Sequence, residues 1–315
     1  TYRNRVYQKG DRKVVQAHRI KALALVGCTA VGKSDTAIKL AKRFGGEIIG
    51  ADSMQIYKGF DIGTGKLTEV ECDGVLHKMI DIADGDADFS VGEYVKIAKA
   101  EIERTHSSGK LPMIVGGTGL YVYSLLSGCN FADAPKDDNI RCALKLVAHF
   151  FGSKVLHCML TDIDGQSASK ISANDCKRVV RALEIFCLRG QSKSAVVTQE
   201  KPYDDLTIVL TLPREILYDK INRRVHRMFD DGLIEEVKSL LQYKKHTSMQ
   251  ALGYKQIAAD IDAPRELLEQ ITAQKTRNYA KRQMTYFNNM KLNKVFIDAR
   301  NYGLVVQTVE KFLEN

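Results

Sequence analysis

The 315-residue sequence predicts an α/β fold, a parallel sheet flanked by helices, interrupted by an all-helical insertion. Three observations carry that expectation. The stretch Gly27-Cys28-Thr29-Ala30-Val31-Gly32-Lys33-Ser34 fits G-x-x-x-x-G-K-[ST] and sits between an apolar strand pattern and a helical one, the context of a P-loop NTPase-like sheet. Later apolar runs end in turns that carry Asp, Gly or hydroxyl residues, as parallel strands do at the edge where ligands bind. From about Cys129 to Glu200 only short helical patterns occur. The resulting organisation is a basic extension over 1–20, a catalytic core over 21–128 and 201–315, and a helical insertion over 129–200.

Taken in order, residues 1–21 hold seven Lys or Arg residues against the single acid Asp11, which reads as a solvated extension. Ala22 to Val26 is a buried strand, and Asp35 to Phe44 is a helix. In the loop between them, Gly27 and Gly32 permit the turn that points successive N–H groups at an anion. Lys33 adds a mobile charge, and the Ser34 hydroxyl suits Mg²⁺. The loop is expected to hold phosphate or pyrophosphate.

Glu47 to Ala51 reads as a second strand that delivers Asp52-Ser53-Met54-Gln55 at its carboxyl end, beside the loop. A carboxylate next to a phosphate site is electrostatically awkward unless Mg²⁺ or a substrate proton needs it, so Asp52 is a candidate functional residue. Leu76 to Ile82 reads as a third strand, Gly92 to Thr105 as a helix, and Leu111 to Val115 as a fourth strand running into Gly116-Gly117-Thr118-Gly119. Two Gly-rich turns at strand ends suggest that backbone and Thr118 approach the same anion.

Within the insertion, a helix is expected from the N-cap Asn174 to Arg189, ended by Gly190, with Val179, Val180, Leu183, Phe186 and Cys187 on its buried face. Lys177, Arg178 and Arg181 cluster near its start. Leu206 to Leu212 returns to the sheet, followed by a helix with Leu217, Ile221, Val225 and Met228 on one face and Arg223, Arg224 and Arg227 on the same turns. Residues 270–297 hold six Lys or Arg and no acid, interleaved with Tyr279, Tyr286 and Phe287, a mixture that suits single-stranded nucleic acid.

Composition narrows the classes further. Lys plus Arg number 47 against 38 Asp plus Glu, a net charge of +9 that favours a polyanionic partner. The seven cysteines are scattered and never form C-x-x-C, so reduced thiols are expected, with neither a zinc site nor a disulfide framework. No apolar run approaches the roughly 18 residues of a membrane span and no signal-peptide core is present, so a cytoplasmic protein without membrane association is expected; a monomer is expected as well, with no residue pattern that fixes the oligomeric state. G-x-G-x-x-G is absent at the first turn, which argues against dinucleotide binding.

Together, GCTAVGKS (27–34), ADSMQIYKGFDIGTGK (51–66), HKMIDI (77–82), VGGTGLYV (115–122), NDCKRVVRALE (174–184), INRRVHRM (221–228), ALGYKQ (251–256) and TRNYAKRQMTYF (276–287) resemble the tRNA dimethylallyltransferases. The resemblance runs in family order across almost all of the chain after residue 20. It implies transfer of a dimethylallyl group from dimethylallyl pyrophosphate to N6 of the adenosine 3′ of the anticodon, tRNA position 37. Gly27, Thr29, Ala30, Val31, Gly32, Lys33 and Ser34 would then bind the donor pyrophosphate, with Ser34 holding Mg²⁺. By the same resemblance Asp52 is the base, Thr118 contacts the oxygen bridging isoprenoid and pyrophosphate, and Arg224 steadies the leaving group. The anticodon stem-loop would meet Asp52, Ser53, Met54, Gln55, Thr118, Arg141, Lys177, Arg178, Val179, Val180 and Arg181.

The sequence departs from the pattern in places. Lys177 stands where many bacterial members have Gln, His77-Lys78 replaces a frequent His-His pair, and no Cys/His zinc finger follows residue 288, which suggests a bacterial-type enzyme. Three rivals remain at this stage: a P-loop small-molecule kinase using ATP, an adenylate isopentenyltransferase acting on free AMP, ADP or ATP, and a phosphate-gated RNA-binding module.

Overall fold

A computed structural model describes residues 19–128, 136–190 and 201–314. The basic extension, except Arg19 and Ile20, and both junctions of the insertion lie outside the described residues, as does Cys129.

The first half alternates strand and helix: β1 (Lys21–Gly27), α1 (Lys33–Phe44), β2 (Gly46–Gly50), the single turn α2 (Glu69–Cys72), β3 (His77–Lys78), α3 (Val91–Ser107), β4 (Leu111–Gly116) and α4 (Gly119–Leu126). Helices α5 (Asp138–Phe151), α6 (Ser153–Ile163), α7 (Gly165–Ala168) and α8 (Cys176–Arg189) follow without a strand among the described residues. The chain then forms β5 (Asp204–Thr211), α9 (Arg214–Asp230), α10 (Leu233–Ser239), α11 (Tyr254–Ala259), α12 (Arg265–Asn289), β6 (Lys294–Asp298) and α13 (Tyr302–Glu314).

All six strands are parallel, in the order β3-β2-β4-β1-β5-β6. A parallel strand covered on both faces must be apolar on both, and β1 meets that requirement residue by residue. Leu23 and Leu25 join one core with α1, α9, α10 and α13, whereas Ala22, Ala24 and Val26 join a second with α3 and α4. Because β2, β4 and β1 are parallel neighbours, the turns that follow them open side by side at the same carboxyl edge.

Several expectations shift. The third strand shrinks to His77–Lys78, because Met79 and Asp81 adopt φ of 64° and 55°, a left-handed backbone that leaves the ladder. The α8 cap is Asp175 and not Asn174; the Asp175 carboxylate accepts the Arg178 N–H at 3.2 Å. On α8, Ala182 and Glu184 are buried while Cys187 is exposed and Phe186 half-buried, since the helix packs against α5 and α6 and not against a flat layer. Strand β6, not expected, begins inside the stretch read as basic and aromatic and ends one residue beyond it.

Candidate active site

The turn after β1 is shaped for an anion. A Cβ at Gly27 would lie 2.7 Å from the Leu210 carbonyl oxygen, so only glycine lets the loop leave the sheet beside β5. Gly32 caps α1 at φ 103° and offers no side chain to the first-turn amides. These amides and the positive end of the 12-residue helix suit an anion. Not every loop amide remains open: the Val31 N–H reaches the Cys28 carbonyl at 3.4 Å, and the Thr29 N–H donates to Gln283 Oε1 at 2.9 Å. The Val31 side chain is core, so a donor contact through it is closed.

Lys33 folds back and donates to the Cys28 carbonyl at 2.9 Å. Burial lowers its pKa to about 8, although the nearby Cys28 and Asp52 favour its charge. Arg224, on α9, donates to the Thr64 carbonyl at 3.4 Å, and burial lowers its pKa too, opposed by Asp52. Both cations have been drawn out of water toward one place, where an anion would replace their lost hydration.

Asp52 lies at the end of β2. Its Oδ1 accepts the Met54 N–H at 3.0 Å, which fixes the carboxylate in a tight turn and leaves Oδ2 without a hydrogen-bond partner among the described residues. The approach of the β2 and β4 ends is close. A Cβ at Gly116 would come within 2.1 Å of the Ala51 carbonyl oxygen, and that same oxygen accepts the Thr118 N–H at 3.0 Å. Thr118 Oγ1 accepts the Ser53 N–H at 2.9 Å and lies 3.2 Å from Ser53 Oγ.

Asp52, Ser53, Met54, Gln55, Thr29, Lys33, Ser34 and Arg224 line one cavity of about 390 Å³. Thr118, half-buried beside Ser53, is not itself part of that wall, and neither are Gly27, Ala30 and Gly32. The Gln55 amide is fixed: Nε2 donates to the Thr64 and Gly65 carbonyls, each at 3.2 Å, so Oε1 is the end left for a ligand.

The basic helix of the insertion divides into two kinds of residue. Arg178 is exposed and pairs with Asp175, and Lys177 is exposed beside it. Arg141, on α5, and Arg181 both bind the fully buried Glu184, at 2.8 and 2.6 Å. Burial alone would raise the Glu184 pKa, but hydrogen bonds from Arg181, the Asp137 amide and Arg141 outweigh it and hold the carboxyl low. Val179 and Val180 belong to the insertion's own core, so side-chain contact with RNA is closed to them. Phe287 is likewise fully buried in the sheet core and cannot stack on a base, whereas Tyr279 lines the cavity and Tyr286 is exposed against Gly119.

Sequence reasoning missed Gln283 and Glu236. Gln283, on α12, joins the two Gly-rich turns: Oε1 accepts from Thr29 N–H and Nε2 donates to the Gly117 carbonyl, each at 2.9 Å. The Glu236 carboxylate collects the amides of Asp61, Ile62 and Gly63. A glutamine inside a motif already assigned to RNA, and a glutamate on an amphipathic helix, give no periodic signal of such roles. No group of three or more His, Cys, Asp or Glu side chains forms a metal site among the described residues. Also among them, no helix is long and apolar enough to cross a membrane.

Residues 55–290 match the family model described as IPP transferase. A tRNA dimethylallyltransferase of Caldanaerobacter subterraneus subsp. tengcongensis is 42% identical over 307 residues, covering 93% of this chain and 98% of that protein. A tRNA dimethylallyltransferase of Halalkalibacterium halodurans is 43% identical over 286 residues, covering 88% of this chain and 91% of that protein. Among solved structures, the full-length tRNA isopentenylpyrophosphate transferase from Bacillus halodurans superposes with a TM-score of 0.70 at 40% identity, covering 93% of this chain and 97% of that one. A eukaryotic dimethylallyltransferase acting on tRNA gives a TM-score of 0.75 at 28% identity, covering 89% and 74%.

Proposed function

The chain belongs to the IPP transferase family, and from that membership we propose that it transfers the dimethylallyl group of dimethylallyl pyrophosphate to N6 of the adenosine at tRNA position 37. One observation supports this reading above the rest. A carboxylate with an open oxygen, Asp52, shares a single cavity with the cations and helix start that suit a pyrophosphate.

The chemistry needs both. The adenine N6 lone pair is drawn into the ring, so a base must remove a proton as the new C–N bond forms. Asp52 Oδ2 takes that proton, and the allylic C–O bond breaks to release pyrophosphate. Negative charge then grows on the departing group, where Lys33, Arg224 and the first-turn amides of α1 stabilise it. Thr118 would turn its hydroxyl proton from Ser53 Oγ to the bridging oxygen.

Mg²⁺ binds pyrophosphate sites through phosphate oxygens, water and only one or two protein oxygens, so it needs no side-chain cage. Ser34, on the cavity wall beside Lys33, fits that role, and the ion would supply further neutralisation of the leaving group. Gln55 Oε1 presents an acceptor, which matches an amino group and opposes the O6 of guanine.

The base must be turned out of the anticodon loop to reach Asp52. The exposed Lys177 and Arg178 are placed to hold the RNA backbone by charge, while Arg141 and Arg181 present edges preset by Glu184. The test is incubation with Mg²⁺, dimethylallyl pyrophosphate and either unmodified tRNA or AMP, followed by nucleoside mass analysis. Dimethylallyladenosine from tRNA alone is expected. Product from AMP alone would make the protein an adenylate isopentenyltransferase, and ATP turnover without RNA would make it a kinase.

A further inference from the structure

Gln283 lies within a buried network that touches both Gly-rich turns. It is 6% exposed, on α12, and both ends of its amide are spent on backbone. The amide has only one workable orientation: a flip would set NH₂ against the Thr29 N–H and oxygen against the Gly117 carbonyl. Tyr279, one helical turn earlier, holds its phenol oxygen beside the side chains of both Gln283 and Thr118. The fit is tight, since a Cβ at Gly117 would stand 2.5 Å from Gln283 Nε2.

We propose that Gln283 is a positioning residue that sets the spacing between the pyrophosphate cradle after β1 and the Thr118 turn after β4. The β1–β4 ladder ends at Val26 and Gly116, and beyond it the Thr118 turn is held to the end of β2 through Ala51 and Ser53, which leaves its distance from the loop after β1 to be set separately. Beyond the strands, one side chain joins the two turns directly, holding Thr29 and Gly117. The donor's pyrophosphate would rest on the first turn and its bridging oxygen would face the second. Transition-state contacts therefore depend on a separation that neither turn sets alone. Gln283 also takes the Thr29 N–H out of the anion cradle, so the donor is held by later amides of the loop and lies toward α1.

This inference rests on the dimethylallyl-transfer reading, and the experiment separates the two. Wild type, Gln283→Met and Gly117→Ala are compared in steady-state and single-turnover assays with dimethylallyl pyrophosphate, Mg²⁺ and unmodified tRNA. Gln283→Met keeps the volume and removes both hydrogen bonds, whereas Gly117→Ala leaves Gln283 in the sequence and pushes its amide away with the new methyl. Because about 1 Å of misplacement can cost on the order of 10²-fold, both variants should lose about 10- to 100-fold in single-turnover rate. The KM for donor and the Kd for tRNA should stay within about twofold, because the loop, Lys33 and the RNA surface remain.

A purely structural role would instead lower the fraction of competent enzyme, seen as a reduced single-turnover amplitude at the wild-type rate. That result, or an unchanged rate in either folded variant, overturns the proposal. A wild-type protein that transfers nothing to tRNA would refute the functional reading itself, a result the variants cannot mimic.

Discussion

The carboxylate of Glu236 accepts a hydrogen bond from the Tyr254 phenol while it also receives the amides of Asp61, Ile62 and Gly63. The loop so held presents its Thr64 and Gly65 carbonyls to Gln55, and Thr64 to Arg224 as well. Tyr254 itself is fully buried against Phe60, with ring centroids 5.1 Å apart. One carboxylate from α10 thus fixes, through a loop of backbone, two side chains of the cavity.

Glu236→Ala should accordingly leave several donors without a partner and cost about 2 kcal/mol of stability, with Tyr254→Phe nearer about 1 kcal/mol. Urea unfolding measures both. Donor KM should rise in Glu236→Ala as Arg224 loses its anchor, and unchanged stability together with unchanged KM would contradict the arrangement.

Asp52→Asn should lower transfer by about 10²- to 10⁴-fold, the usual worth of a positioned base. Affinity for tRNA, measured by filter binding, should be retained because the carboxylate contributes no attraction to phosphate. Transfer at the wild-type rate would remove Asp52 from its role.

Donor binding should depend on pH through Lys33. Burial sets its pKa at about 8 in the free protein, so the ammonium form prevails below that value and is lost above it. Pyrophosphate binds the charged form. Donor affinity should therefore be full below about pH 8 and weaken as pH rises through it, by up to about tenfold per unit. Lys33→Arg should abolish this alkaline fall, and a wild-type profile flat between about pH 7 and about pH 9.5 would contradict the assignment.

Arg178 and Arg181 should behave differently although they lie on one helix. The Arg178 side chain is 71% exposed, so Arg178→Ala should weaken tRNA binding and reduce the salt slope of log Kd by about 1. Removing the acid between Arg141 and Arg181, as in Glu184→Ala, should instead destabilise the insertion by about 3 kcal/mol. Salt-titrated binding and thermal unfolding distinguish the two effects.

The parts of this site that were legible in the sequence are those carried by contiguous motifs at strand ends. The phosphate loop, Asp52 and the turn before Thr118 could be placed because a parallel sheet brings such turns to one edge. Gln283 could not, since its partner Thr29 is 254 residues away and a buried amide leaves no trace in hydrophobic period. Glu184 was hidden differently, as an acid on a helix otherwise read as basic. Cys187 and Phe287 show the converse error. Helical spacing assigned one to a core and aromatic composition assigned the other to RNA, yet packing against neighbouring helices and the sheet reverses both. Strand β6 was obscured by the lysines around Val295-Phe296-Ile297: Lys294 opens this edge strand, yet its ammonium turns back to the carbonyls of Phe287, Asn288 and Met290 at the end of α12.

Among the described residues, the apolar cluster of α5 to α8 draws its members from residues 140–183, apart from the two clusters that clothe the sheet. Apolar packing in each compartment is thereby set by its own residues, while the ion pair between Lys136 and Asp88 spans the two. Substitutions inside α5 to α8 can therefore be compensated within those helices, and a module exchanged between relatives would bring its own apolar centre with it.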